Sequence, residues 1–286
     1  MGRGGCEDTG AMSDIPELTW DPQPESQPPP ASRRGLPLLL AVLPLVPILV
    51  GVVITSRTVP AQALSPGGYR PLAAAPASVA ARGAALPPGP GTVVAILHSS
   101  TTMRRAPAGR PFGRVQSRTG FGSPAAMWVV AFAPGWLGVI SPVAGNGRVG
   151  WIPRPAASLA RVNWKLQVSL AARRLTVLLG GRPVERYTVA IGRPSAPTPT
   201  GRFSVTDRLN TGDAGGPYGC CILALSALAP HAIQGWNGGN RIAIHSTPET
   251  ASIGQPVSHG CLRLSLPNGR WLLAHIPLGT PTIIRN

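Results

Sequence analysis

Two β-type runs near the end of the chain, Ile242-Ala243-Ile244-His245-Ser246 and Val257-Ser258-His259-Gly260-Cys261-Leu262-Arg263, are joined by a polar loop. His245 and Cys261 stand 16 positions apart. That separation suits neighbouring strands or loop ends whose side chains meet in space. A thiol attacks well only after losing its proton, and an imidazole can take that proton and later return it. Gly260 permits a backbone with positive φ and leaves room for a substrate carbonyl beside Cys261. The backbone N–H groups around Gly260 and Cys261 are expected to form an oxyanion hole.

Other residues of the same segment have assignable roles. His259 is a competing base, because residues two apart in an extended chain point the same way. Arg263, two beyond Cys261, is placed to pair with a substrate carboxylate. Ser258 is expected to hydrogen-bond locally and shape the loop. The alternative is that Cys261 is an inert buried thiol. A metal site is not expected. His245, His259 and Cys261 lack a second Cys-x-x-Cys or His-Glu-x-x-His element to complete a ligand set. A Gly-x-Ser-x-Gly elbow is also missing, which argues against a serine hydrolase.

The His-…-Ser-His-Gly-Cys-x-Arg pattern resembles the signature of the L,D-transpeptidases, whose catalytic unit is the YkuD-type domain. Thr198-Pro199-Thr200-Gly201-Arg202-Phe203 is similar to the family's Thr-Pro-x-Gly-x-Phe turn. Tyr218 to Ser226 resembles a pocket-facing segment of some members. The likeness covers about residues 162–286. It implies a mainly β fold, with a β-sandwich catalytic domain over 160–286. It implies Cys261 as nucleophile, His245 as general base, and the main chain at Ser246 orienting the imidazole. Tyr218 is a candidate donor at the cleft edge, or a packing residue. Arg263 stands where many members resembling this pattern carry Asn and others Arg. The implied activity is formation of 3→3 cross-links between peptidoglycan stem peptides through a cysteine acyl-enzyme. No cofactor is implied, and carbapenem-type β-lactams are implied inhibitors. An L,D-carboxypeptidase using the same site and a non-catalytic wall-binding protein are the alternatives.

Upstream, Thr92 to Ile152 holds short β-type runs separated by Ala133-Pro134-Gly135 and Ala144-Gly145-Asn146-Gly147 turns. This suggests a small barrel over 91–156, and the spacing of Trp136-Leu137-Gly138 and Gly150-Trp151-Ile152 resembles bacterial SH3-type modules. Trp128, Trp136 and Trp151 either line a ligand groove or face a core. A hairpin is expected from Trp164 to Leu179. A short helix is expected over 268–276, opened by Pro267.

Residues 36–55 are 20 uncharged, mostly apolar residues, the length of a membrane-spanning helix. Arg33 and Arg34 precede the run, so the positive-inside rule places residues 1–35 in the cytoplasm and the body outside, in the cell-wall space. The Pro- and acid-rich residues 1–35 are expected to be disordered, and the Ala/Pro/Gly-rich residues 56–90 to be a tether. Ala61-Gln62-Ala63 resembles a signal-peptidase site, but an uncleaved anchor suits the long preceding tail better.

Gly (35) and Pro (34) are abundant, which disfavours helix-rich folds. The net charge of +16 fits an anionic surrounding or an arginine-rich coding bias, since Lys165 is the only lysine. A helix-turn-helix pattern and an aromatic RNA-binding motif are both missing, so nucleic acid is not an expected partner. Four cysteines do not make a disulfide framework in a chain of this length. Adjacent Cys220 and Cys221 are expected to be small buried apolar residues, with a redox pair as the alternative.

Overall fold

The computed structural model describes residues 69–72, 88–230 and 239–286. The tail, the apolar run 36–55 and most of the expected tether lie outside the described residues. Within them, no helix is long and apolar enough to cross a membrane.

The fold is mainly β, as expected. Among the described residues, a nine-stranded sheet is built from a path of strands within residues 163–286 and, off that path, one short strand from upstream, Arg70–Pro71. The long strand Gly201–Asn210 organises this path. Its first half pairs with Pro281–Arg285 and its second half with Cys221–Leu228, with a register shift between Val205 and Asp207. The bulge bends the strand, so that it serves two groups of strands. On one side lie the expected hairpin strands Trp164–Ser169 and Arg174–Leu179. On the other lie Cys221–Leu228, Arg241–Ser246 and Leu262–Leu264. Leu166, Val177, Phe203, Ile222, Ile244 and Leu262 from both groups meet in one core. Cys221–Leu228 is buried along nearly its whole length. Its run of apolar residues without alternation reflects cover on both faces.

One α-helix, Leu266–His275, packs on the second group. Ser265 caps it by accepting a hydrogen bond from the Asn268 N–H, and Pro267 occupies the first turn, where its missing N–H costs nothing. Leu272 and Leu273 face the core, while His275 stacks on Trp271 with ring centroids 4.1 Å apart.

Residues 92–162 form a seven-stranded antiparallel sheet around a second core that includes Met103, Leu137, Val139 and Ile152. Strand Ala157–Val162 pairs with Thr92–Leu97, so this module runs on past the expected end at residue 156 and takes in residues 160–162, which were expected in the C-terminal domain. The alternation in the first strand has two targets. Ala95 and Leu97 face the module's own core, while Val94, with Ala126 and Val162, joins the core of the C-terminal sheet. Polar contacts support the same junction. Asn146 exchanges two hydrogen bonds with the backbone of Leu228, and Thr119 donates to the buried carboxylate of Asp207. Trp128, Trp136 and Trp151 are half-buried. Arg202 lies over Trp128 and Arg104 over Trp136, so these rings are neither full core nor open groove.

Residues 69–72 fall within the expected tether yet dock on the C-terminal sheet. Arg70 and Pro71 pair with Asn210 and Leu209, and Tyr69 packs 6.2 Å from the ring of Phe121.

Candidate active site

The strand Arg241–Ser246 lies between an antiparallel and a parallel neighbour, with Ile222 and Arg263 in register with His245. Pairing on both edges fixes the His245 backbone, and the ring is buried. Its Nδ1 is 2.8 Å from the Ser246 carbonyl oxygen. A carbonyl only accepts, so Nδ1 carries the proton and Nε2 is left as the basic nitrogen. Burial lowers the imidazole pKa from 6.5 to about 4, and the Arg263 charge pushes the same way. The carbonyls of Ser246 and Tyr218 oppose this by favouring the protonated ring. The Tyr218 ring meets the imidazole edge-on at 5.0 Å, so it lies at the site. Burial raises the Tyr218 hydroxyl's pKa, and the proximity of Cys261 adds to the effect.

Cys261 follows a tight turn at the end of the short strand Pro256–Ser258 and leads into Leu262–Leu264, the strand beside His245. Gly260 has φ +112°, and a Cβ there would come within 2.8 Å of Ile242 Cδ1. Only glycine fits that backbone and that gap. Ser258 closes the turn: its hydroxyl donates to the Cys261 carbonyl at 2.6 Å and accepts from the Gly260 N–H at 3.0 Å. This is the local shaping expected of Ser258. It also changes the oxyanion expectation, because the Gly260 N–H is engaged by Ser258.

The thiol of Cys261 is buried, and burial pushes its pKa from 9.0 up to about 11. A hydrogen bond from the Ala243 backbone and the charge of Arg263 act against that shift. The resting site therefore holds a neutral thiol and a neutral imidazole on adjoining segments, beside one cation. Arg263 forms an ion pair with Glu249 at 3.1 Å. Glu249 thus serves the arginine rather than the imidazole. His259 is exposed at the tip of the turn while Cys261 is buried, so the shared face expected of an extended chain is lost here.

The Thr198 to Phe203 block reaches the same place. Ile191–Gly192 pairs with Pro256 and Ser258, and the Thr198 hydroxyl accepts from the Gly192 N–H at 2.9 Å. The Pro197 carbonyl oxygen lies 3.5 Å from where a Gly260 Cβ would be. This loop forms a wall of the turn before Cys261.

Cys220 and Cys221 are bonded to each other, which corrects the expectation of two separate apolar thiols. The adjacent pair is accommodated by Gly219, whose φ is +54°. The Cys221 N–H donates to the Ser246 hydroxyl at 3.1 Å, and Cys220 Sγ is 3.5 Å from the same oxygen. Gly219 and Gly269 press on Ser246 from two sides; Cβ atoms there would lie 2.6 Å from its Oγ and 2.7 Å from its Cβ. Sequence reasoning missed these supports. Gly219 and Gly269 lie far from Ser246 in the sequence, so no local pattern ties the three together.

Residues 163–284 match the family model described as YkuD, L,D-transpeptidase catalytic domain. The chain is 32% identical over 123 residues to the putative L,D-transpeptidase YkuD of Bacillus subtilis, covering 43% of this chain and 66% of that protein. It is 30% identical over 121 residues to L,D-transpeptidase 1 of Mycobacterium tuberculosis, covering 40% and 47%. The matched segment thus spans just under two thirds of the Bacillus relative and less than half of the mycobacterial one. A crystal structure of L,D-transpeptidase 3 from Mycobacterium tuberculosis in complex with a faropenem-derived adduct is 20% identical. It covers 48% of this chain and 73% of that one, at a TM-score of 0.35.

Proposed function

We propose that the chain, whose residues 163–284 match the YkuD, L,D-transpeptidase catalytic domain, is a cysteine acyltransferase that cross-links peptidoglycan stem peptides. The observation that carries this reading is the pairing of Cys261, on its glycine-dependent turn, with a tautomer-fixed His245 on the adjoining strand. The Cys261 sulfur attacks the carbonyl of the third residue of a tetrapeptide stem. As the C–S bond forms, the thiol proton passes to His245 Nε2. The resulting imidazolium is stabilised by the Ser246 and Tyr218 carbonyls, which take the place of an acid. The imidazolium then protonates the leaving amine, and the terminal D-alanine departs. A side-chain amine from a second stem attacks the thioester, gives its proton to His245, and expels the thiol as a 3→3 amide link forms. Starting from neutral partners keeps the charge-separated state confined to the moment when substrate fills the site. Arg263 is the site's cation for a substrate carboxylate, exchanging with Glu249. A β-lactam carbonyl would be attacked by the same sulfur, leaving a covalent adduct on Cys261.

The apolar run 36–55 supports attachment to the cytoplasmic membrane, with the N-terminus inside and the catalytic domain in the cell-wall space. Protease protection of residues 1–35 in sealed vesicles would test this orientation.

The deciding experiment is intact-mass analysis of the chain with a tetrapeptide stem, with and without an amine acceptor. A thioester on Cys261 that resolves to cross-linked product supports the proposal. Release of tripeptide alone, with acceptor present, would make the enzyme a carboxypeptidase. Lack of any adduct with stem or carbapenem would leave a wall-binding protein.

A further inference from the structure

The β module holds an unusual charge distribution. Residues 88–162 contain eight arginines and neither Asp nor Glu. Arg105, Arg110, Arg114, Arg118 and Arg148 are exposed, so the module has no acid of its own to neutralise them. Four of these arginines line two adjoining depressions. Arg105, Phe112 and Arg148 line one of about 320 Å³, and Arg114 and Arg118 line one of about 200 Å³. The two share Val143, which is 38% exposed, and the strand Pro111–Val115 runs past both, with Phe112 in the first and Arg114 in the second. Arg105 lies over the Phe112 ring, 5.1 Å from its centroid. Arg241 also reaches the second depression, but its charge is met by Asp207 at 3.7 Å.

We infer that this double depression is a binding track for an anionic glycan polymer, distinct from the site around Cys261. Several exposed guanidinium groups spread over two open hollows suit repeated charges on one chain, which bind together by effective concentration. Convergent donors for a single small anion are not what the arrangement offers. Guanidinium groups match phosphodiester and carboxylate oxygens alike, and Phe112 with Val143 offers an apolar floor for a sugar ring. The track would hold the enzyme along its polymer while the catalytic turn samples stems.

The test is titration of the full chain with fluorescent polymers of matched length: a phosphodiester-linked glycan, a polyuronate, neutral dextran and single-stranded DNA. Binding to one or both of the anionic non-nucleic polymers, and not to dextran, is expected. Affinity should fall roughly tenfold between about 50 and about 200 mM salt. The stronger of the two arms identifies phosphate or carboxylate as the recognised charge. The triple variant Arg105→Gln/Arg114→Gln/Arg148→Gln should lose roughly tenfold or more in affinity with an unchanged melting temperature. The variant Arg174→Gln/Arg182→Gln/Arg186→Gln removes the same charge from exposed positions on the catalytic sheet and should lose less than about twofold. Equal losses in the two variants would reduce the effect to bulk charge and overturn the proposal. So would DNA binding tighter than either glycan arm, or lack of binding at low salt. None of these readouts depends on turnover at Cys261, so the failure of one reading leaves the other intact.

Discussion

Nδ1 of His245 lies 2.8 Å from the carbonyl oxygen of Ser246, the next residue in the chain. The bond is made by backbone that two neighbouring strands hold in place, so the imidazole is oriented without a carboxylate partner. This has a measurable consequence. A carboxylate would raise the ring's pKa, whereas here burial brings it to about 4. The Cys261 thiol is pushed to about 11. The pH profile of kcat/KM should therefore be flat across the neutral range, falling toward pH 4 and toward pH 11. A bell centred on a narrow optimum near pH 6 to 7 would contradict the neutral-pair assignment.

The same shifts govern stability, with opposite directions in pH. His245 binds its proton more readily in the unfolded chain, so unfolding free energy should drop as pH falls from 6.5 toward 4. The expected loss is about 3 kcal/mol, and His245→Gln should flatten that slope. Cys261 holds its proton more tightly when folded, so its contribution is lost as pH rises from 9 toward 11. Urea titrations of the parent and His245→Gln chains across this range would read both slopes.

Gly269→Ala would place a methyl group 2.7 Å from Ser246 Cβ. The helix and the strand must then separate, which costs about 1 to 3 kcal/mol in stability. The Ser246 carbonyl would move with its strand, so kcat should fall by roughly tenfold or more. A crystal structure or an imidazole nitrogen spectrum of the variant would show the altered His245 hydrogen bond.

Ser258→Ala removes the acceptor for the Gly260 N–H and the donor to the Cys261 carbonyl. Leaving such groups unpaired in a buried turn costs about 1 to 3 kcal/mol. Alkylation of Cys261 by iodoacetamide should become faster as the turn opens, while acylation by a stem peptide slows. Ser258→Thr, which keeps the hydroxyl, should restore part of the acylation rate.

Asp207 is fully buried, lies 3.7 Å from Arg241 and accepts hydrogen bonds from Thr119 and Thr206. Asp207→Asn leaves the largely buried Arg241 without its counter-charge, a loss of about 3 to 5 kcal/mol by chemical denaturation. Thr119→Val, which removes only the bridge from the β module, should cost less, about 1 kcal/mol.

The C-terminal half was legible where local pattern and chemistry coincide. The alternating hairpin from Trp164, the Pro-initiated helix and the Ser-His-Gly-Cys turn all follow from neighbours in sequence. What escaped reading depends on distant partners. Strand Pro111–Val115 begins with Pro and contains Gly, which lowers its β signal, yet it stands at the sheet edge where a missing N–H is tolerated. Strand Ala157–Val162 has small residues and little alternation because both of its faces are covered. The parallel pairing of Arg241–Ser246 with Leu262–Leu264 places His245 and Cys261 on adjoining segments, as their spacing suggested. The exposure of His259 followed instead from a turn that the extended-chain rule does not describe.

Val94, Ala126 and Val162 stand on the module's strands but are sealed within the neighbouring sheet's interior. Each half thus owns an oily facet that only the other can cover. Severing the chain between them would yield two sticky fragments instead of two independent proteins, and melting should register as one transition. Exchanging this module for an unrelated one would require rebuilding that facet first.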